Sequence, residues 1–382
     1  MQEKGPLARL KRRVLDGPMN WTPEQESALG AVAAWLAERK APQVFRLFGY
    51  AGTGKTTLAR HLAESVDGET AFGAFTGKAA LVMRSKGCTD ARTIHSMIYR
   101  PKEVESEEPS FELNEDAPAA AASLIVIDEC SMVDEELGRD LLSFGKKVLV
   151  LGDPAQLPPV KGGGFFTEAE PDVMLTEVHR QAADNPIVRL SMDIREGRRL
   201  ERGAWDGVKV IGRDQVDTEE VKAADQVLVG LNKTRRAYNK RLRELNGFSG
   251  DLPEVGEKLV CLRNNRKKGL LNGGIFRVAR AGTIRRGKVR LSVSPEDAPG
   301  AKPQRVGVIP LFFAGGDEEI PYALRRESDE FDFGYALTVH KSQGSQWDNV
   351  YLFDESYAFR EHRARWLYTG ITRAAERLTV VV

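Results

Sequence analysis

The residues best equipped for chemistry lie in one unbroken stretch. Phe45–Phe48 is a short apolar run, and the chain then reads Gly49-Tyr50-Ala51-Gly52-Thr53-Gly54-Lys55-Thr56-Thr57, the pattern G-x-x-x-x-G-K-T. Glycines at 49, 52 and 54 let successive backbone N–H groups turn inward around a polyphosphate, and a helix starting near Lys55 aims the positive end of its dipole there. Lys55 is suited to the outer phosphates and the Thr56 hydroxyl to Mg²⁺. The expected ligand is a nucleoside triphosphate with its cation. An ordinary glycine-rich turn is the alternative, but it leaves the ordered succession of strand, lysine, hydroxyl and helix without a reason. The loop names a nucleotide, not a reaction.

Further polar groups follow apolar runs. Leu124-Ile-Val-Ile is an aliphatic strand of the buried parallel type ending in Asp128-Glu129. One carboxylate there suits the metal shell, and its neighbour can orient or deprotonate a water that attacks the γ-phosphate. Lys147-Val-Leu-Val-Leu151 ends in Gly152-Asp153-Pro154-Ala155-Gln156, where Gln156 is placed to sense that phosphate. The strand at Thr70–Phe75 runs into Thr76-Gly77-Lys78, groups that fit either a nucleic-acid phosphate or a plain helix N-terminus. Thr93 and His95 form a weaker version, with a packed or capping histidine as the competing account. Thr22-Pro23-Glu24-Gln25 opens an amphipathic helix to about Lys40. Gln25 stands where a capping-box side chain reaches back, and a carboxamide can also read both edges of adenine.

These groups must be held by a sizeable framework. The chain has 382 residues, 41% of them hydrophobic, enough for two or more domains. Its net charge of +1 is balanced overall but uneven locally. Residues 101–122 hold seven acids against one lysine, whereas residues 258–290 hold eleven lysines or arginines and no acid. The basic block reads as a polyanion track or a solvated face. The acidic segment, with Pro101, Pro109 and Pro118, reads as an inserted hairpin whose Phe111 either packs locally or projects as a wedge. Three scattered cysteines, Cys88, Cys130 and Cys261, argue against a disulfide framework or zinc cluster and fit a reducing cytoplasm. The basic amino terminus lacks an apolar signal region, and no run reaches the roughly 18 residues needed to span a bilayer, so a soluble protein without membrane contact is expected.

In the second half, Gln226-Val-Leu-Val-Gly-Leu-Asn232 reads as a strand running into a basic helix. Asp332–Thr338 reads as one strand entering His340-Lys341, and Val350–Phe353 and Arg377–Val382 complete a second sheet. Between them, 251–325 reads as short strands joined by glycine turns.

Taken in order, the phosphate loop, Thr76-Gly77-Lys78, Asp128-Glu129 and Gly152–Gln156 resemble superfamily 1 helicases. Leu175-Thr-Glu-Val-His179-Arg180-Gln181, Ala336–Gly344 and Tyr368-Thr369-Gly370-Ile-Thr372-Arg373-Ala374 complete the set, and the resemblance is closest to the RecD-like and phage Dda-type branch, superfamily 1B. It covers nearly the whole chain from Trp21.

The resemblance implies an α/β fold with two RecA-like P-loop domains. After an arm at 1–19, it assigns 20–100 and 123–183 to the nucleotide-binding domain, with the 101–122 hairpin or pin inserted. Residues 184–250 and 326–382 form the second domain, and 251–325 an inserted SH3-like β-barrel that guides a nucleic-acid strand. ATP and Mg²⁺ are the implied cofactors. Gln25 joins the adenine-reading element, Gly49, Ala51, Gly52, Thr53, Gly54, Lys55, Thr56 and Thr57 cradle phosphates, and Gly344 approaches nucleotide. Thr56 and Asp128 hold the metal, Glu129 the attacking water, and Gln156 couples the γ-phosphate to movement. Arg180 and Arg373 neutralise charge in the transition state. Thr76, Gly77, Lys78, Thr93, His95, Asn232, Thr338, His340 and Lys341 face DNA, with Phe111 as the strand-separating pin. Gln346 departs from the pattern, since many members carry Glu there. The implied activity is ATP-driven travel on single-stranded DNA, five-prime to three-prime, opening forked duplexes. It is implied for a monomer working with replication or recombination proteins. A translocase that leaves duplexes closed and a small-molecule phosphotransferase are the competing activities.

Overall fold

The computed structural model describes residues 20–101, 111–158, 164–177, 185–265, 268–298 and 300–382. The chain divides into two compact units, one drawn from residues up to 188, the other holding residues 189–382 together with Thr76–Lys78.

The first unit is built on β1 (Val44–Gly49), β2 (Thr70–Ala74), β3 (Arg92–Thr93), β6 (Leu124–Asp128), β7 (Lys147–Gly152) and β8 (Val173–Leu175); β4 (Tyr99–Pro101) and β5 (Phe111–Leu113) form a separate antiparallel pair. The six strands are parallel, in the order β3-β2-β6-β7-β1-β8. Alternation explains the unbroken aliphatic runs. Leu47, Leu124, Val126, Leu149 and Leu151 join the core on one face, while Phe48, Ile125, Ile127, Val148 and Val150 join the core on the other. A sheet covered by helices on both sides needs apolar residues at every position.

The second unit holds two sheets. One is β17-β11-β18-β19-β10-β9, from β9 (Gly203–Trp205), β10 (Val208–Ile211), β11 (Gln226–Val229), β17 (Ala336–Thr338), β18 (Trp347–Phe353) and β19 (Ala374–Val381); it is parallel except where β9 reverses against β10. The other is antiparallel, β15-β14-β13-β12-β16, from β12 (Lys258–Cys261), β13 (Ile275–Arg285), β14 (Lys288–Pro295), β15 (Gln304–Val308) and β16 (Phe331–Phe333).

The single strand expected over Asp332–Thr338 is two strands in two sheets. β16 pairs with β12, then Gly334 donates its N–H to the Lys258 carbonyl, and β17 pairs with β11. A side chain at Gly334 would sit 2.8 Å from the Leu259 carbonyl carbon, so only glycine lets the backbones approach there. β9 and β10 had no counterpart in the sequence reading.

A buried ion pair ties the basic helix Asn232–Leu245 to the start of β12. Arg243 donates from Nε and Nη2 to the two Glu257 carboxylate oxygens at 2.6 and 2.9 Å, and its guanidinium lies 3.8 Å above the Phe333 ring. Glu257 is fully buried. Removing one partner of such a pair leaves an uncompensated charge, so Arg243→Ala is expected to lower unfolding free energy by about 3–5 kcal/mol in urea titration. A loss below about 1 kcal/mol would show that the pair does not hold the helix to the sheet.

Candidate nucleotide site and associated motifs

In the first unit, β1 delivers the chain into the phosphate loop. Gly52 and Gly54 have φ of 81° and 83°, the left-handed region where a side chain is strained, and Gly54 precedes the Lys55–Glu64 helix. A side chain at Gly49 would meet Thr53 Oγ1 at 2.7 Å and Leu175 Cβ at 2.8 Å. Lys55 Nζ donates to the Gly49 and Tyr50 carbonyls at 2.6 and 2.9 Å, which folds the lysine over its own loop.

Of the two roles that the sequence left open for Gln25, the structure shows the capping one. Its Oε1 accepts from Thr22 N–H, and Thr22 Oγ1 accepts from Gln25 N–H, a complete capping box. Its Nε2 donates to the Thr53 carbonyl at 3.0 Å, so the same buried carboxamide also holds the loop. Neighbouring Glu24, which sequence reasoning passed over, accepts from Thr176 N–H, Thr176 Oγ1 and Glu177 N–H. The helix start thus holds both the loop and the segment leaving β8.

The loop meets the carboxylates across the sheet edge. Thr56 Oγ1 donates to Asp128 Oδ2 at 2.8 Å, and Asp128 Oδ1 accepts from Glu129 N–H at 2.8 Å. Gly152 ends β7 between them; a side chain there would lie 2.6 Å from Cys130 Sγ. The hydroxyl and carboxylate are hard oxygen donors, a set that fits Mg²⁺, which takes one or two protein oxygens and completes its shell with water and substrate phosphates. Glu129 stands at φ 54°, ψ 45°, a left-handed backbone in a non-glycine residue. Gln156 is buried, and its Oε1 is unpartnered among the described residues, as is Ser131 Oγ two residues after Glu129. Burial pushes the Cys130 thiol well above its ordinary pKa, reinforced by Asp128 and Glu129, so it remains an inert apolar packing group.

Thr76, Gly77 and Lys78 sit at the junction between β2 and the Gly77–Ser85 helix. Thr93 precedes the Ile94–Ile98 helix, and the His95 ring lies 6.1 Å from that of Phe75 and 5.8 Å from that of Tyr99. Phe111 opens β5, whose backbone pairs with β4. Arg180 lies outside the described residues.

In the second unit, Thr338 ends β17 and its Oγ1 accepts from Lys341 N–H at 3.3 Å. Burial lowers the His340 pKa, helped by His362, so its imidazole is neutral at pH 7. Lys341 is also lowered, chiefly by burial and then by the like charge of Arg235, with Asp332 opposing. Gly344 has φ 75°. Arg373 is buried, with Nε donating to the Thr369 carbonyl, Nη1 to the Ser345 carbonyl and Nη2 to Thr372 Oγ1. Asn232 begins the basic helix, and its Oδ1 accepts from Arg235 Nε. Behind it, buried Glu355 accepts from Gly230 N–H, Leu231 N–H and Thr234 Oγ1 at 2.7, 3.0 and 2.6 Å. The only sequence signal for Glu355 was an acid just after a predicted strand.

A phosphate loop leaving a parallel strand, with an acid pair at the end of a second parallel strand one strand removed, defines a P-loop nucleotide-binding protein. Residues 21–209 match the model described as AAA domain, and residues 333–381 match the UvrD-like helicase C-terminal domain. The ATP-dependent RecD2 DNA helicase of Deinococcus radiodurans is 30% identical over 365 residues, covering 87% of this chain and 46% of that protein. The ATP-dependent DNA helicase dda of phage T4 is 30% identical over 205 residues, covering 50% of this chain and 44% of that protein. The chain therefore spans about half the length of these relatives. Among solved structures, Pif1 helicase from Bacteroides, in complex with ADP-AlF3 and ssDNA, shares the fold with TM-score 0.56 at 17% identity, covering 95% of this chain and 92% of that one. The chain belongs to the superfamily 1B helicases, with RecD-like and Dda-type relatives.

The left-handed Glu129 yields a prediction. A non-glycine residue there costs about 1–2 kcal/mol, part of which glycine returns as greater freedom of the unfolded chain. Glu129→Gly is thus expected to raise unfolding free energy by up to about 1 kcal/mol, whereas Glu129→Gln leaves it near wild type. Destabilisation by the glycine would show that the site stores no backbone strain.

Proposed function

We propose that the chain is an ATP-dependent DNA helicase that travels on single-stranded DNA, five-prime to three-prime, and opens forked duplexes. The observation that carries this reading is the meeting of the Thr56 hydroxyl with Asp128 at the sheet edge, in a chain aligned over 87% of its length with an ATP-dependent DNA helicase.

The phosphate loop and Lys55 bind the triphosphate, and Gln25 presents the adenine-reading element while bracing the loop through Thr53. Thr56 and Asp128 are the residues that would hold Mg²⁺, which when bound offsets charge on the β- and γ-phosphate oxygens. Glu129 holds the attacking water through a carboxylate oxygen and takes its proton, and Gln156, whose Oε1 is unpartnered among the described residues, couples the γ-phosphate to movement. Arg180 and Arg373 supply guanidiniums to the charge that spreads over the γ-phosphoryl oxygens.

Thr76, Gly77, Lys78, Thr93, His95, Asn232, Thr338, His340 and Lys341 contact the DNA backbone. His340, neutral at pH 7, acts by hydrogen bonding. The antiparallel sheet of β12–β16 is read as the SH3-like module that guides DNA, and Phe111 as the pin. Replication or recombination proteins are the proposed partners of a monomeric motor, whose chemistry does not require them. No helix among the described residues is long and apolar enough to cross a membrane.

Steady-state ATP turnover with and without single-stranded DNA, paired with strand displacement on a fork, tests this function. Turnover stimulated by DNA and fading with salt is expected, with Lys55→Ala inactive in both assays and Glu129→Gln slowed by about 10²–10⁴ in kcat. Turnover indifferent to DNA would replace the motor with a phosphotransferase, and stimulated turnover without displacement would leave a translocase. Phe111→Ala is expected to keep DNA-stimulated turnover but lose displacement; full displacement by that variant would remove Phe111 from strand separation.

A further inference from the structure

One face of the antiparallel sheet in the second unit carries cations that ATP turnover does not use. β13 and β14 form a hairpin closed by Arg286 and Gly287, at φ of 52° and 71°, a two-residue turn whose twist suits paired strands. β15 pairs along the other edge of β14. Register settles which side chains share a side. Arg280 stands opposite Ser292, and Ser292 opposite Arg305; Arg285 stands opposite Lys288, and Arg290 opposite Gly307.

Side chains alternate along a strand, so Lys288, Arg290 and Ser292 share one side of β14, together with their cross-strand neighbours Arg280, Arg285 and Arg305. The other side of β14 carries Val289, Leu291 and Val293 into the core. A side chain at Gly307 would lie 3.2 Å from Arg290 Nη1, so the glycine leaves room for that guanidinium to lie across the next strand.

Where acids are near, the cations of this sheet pair with them: Arg277 with Glu296 at 2.7 Å and Lys288 with Glu327 at 3.7 Å. Arg280, Arg285, Arg290 and Arg305 are exposed, and among the described residues they have no ion-pair or hydrogen-bond partner. A row of unpaired guanidiniums at strand spacing is unfavourable through self-repulsion and is complementary to a dense line of phosphates. The face is also free of aromatic side chains at Arg280, Arg285, Lys288, Arg290, Ser292, Arg305 and Gly307. Sites for single strands combine cations with aromatic platforms on which bases stack, whereas duplex DNA hides its base faces in the stack and lines its outside with phosphates.

We propose that this arginine face binds the phosphate backbone of duplex DNA, separately from the single-strand contacts of the motor. It rests on the reading above in taking this sheet as a DNA-guiding module, and adds that the DNA held on this face is duplex. The site reads charge density and not sequence, as backbone contacts do.

The test uses the full chain with Arg285, Arg290 and Arg305 all changed to Ala, and measures its affinity for a blunt duplex and for an oligo-dT strand by fluorescence anisotropy across a salt series. The ratio of duplex to single-strand affinity is expected to fall about tenfold or more, and the slope of log K against log salt for duplex to drop by about 2–3, since each neutralised phosphate contributes about 0.9. Lysine at the same positions keeps the charge and is expected to keep the slope. A ratio unchanged from wild type overturns the proposal, whether both affinities fall together or neither moves. Failure of the motor reading shows elsewhere, as wild-type ATP turnover indifferent to single-stranded DNA, and does not fix this ratio in advance.

Discussion

The first unit is organised around one hydrogen bond, Thr56 Oγ1 to Asp128 Oδ2. β1 and β6 are separated by β7, so their carboxyl ends stand about 10 Å apart at ordinary strand spacing. A residue in the first turn of the Lys55–Glu64 helix spans that gap only if the loop turns sharply before it and nothing rises between. Left-handed Gly52 and Gly54 provide the turn, and the missing side chain at Gly152 keeps the intervening strand low. The helix at Pro23–Ala37 then fixes the loop from outside through Gln25. Two aliphatic cores hold the three strands in register beneath this edge, so positions a bond apart in chemistry are set by packing across the whole sheet.

Much of that site was legible because each part is local. A phosphate loop, a capping box and an acid pair after an aliphatic strand all announce themselves within a few residues, and each demands particular side chains at fixed offsets. What escaped was long-range. Glu24 grips Thr176 and Glu177 from far away in sequence, and Glu355 holds the start of the basic helix from the end of β18. Such partners have no spacing signature. The run Asp332–Thr338 misled for a related reason: its alternation suits one strand, and only the close approach of Gly334 to the Lys258–Leu259 backbone shows that the chain changes sheets in the middle.

Cations in the second unit fall into two physical groups that composition alone does not separate. Arg243, Lys258 and Arg235 are consumed by structure: Arg243 binds Glu257, Lys258 Nζ donates to the Asp225 carbonyl, and Arg235 binds Asp332 at 2.6 Å. Burial lowers the Lys258 pKa, with Glu296 opposing, the pattern of a lysine serving as an internal tie. The arginines of the β13–β15 face are exposed instead. The dense basic block of the sequence is therefore partly scaffold and partly surface, and the partition follows from where carboxylates and carbonyls happen to be within reach.

The account depends on Thr56 and Asp128 forming one cation site with the triphosphate, and calorimetric titration of a non-hydrolysable ATP analogue with and without Mg²⁺ examines this directly. Wild type is expected to bind at least about tenfold more tightly with the cation present, and Thr56→Val, which keeps the shape and removes the oxygen donor, to lose most of that difference. An equal gain from Mg²⁺ in both proteins would contradict it, because the hydroxyl–carboxylate contact at the sheet edge would then have no part in holding the nucleotide's metal.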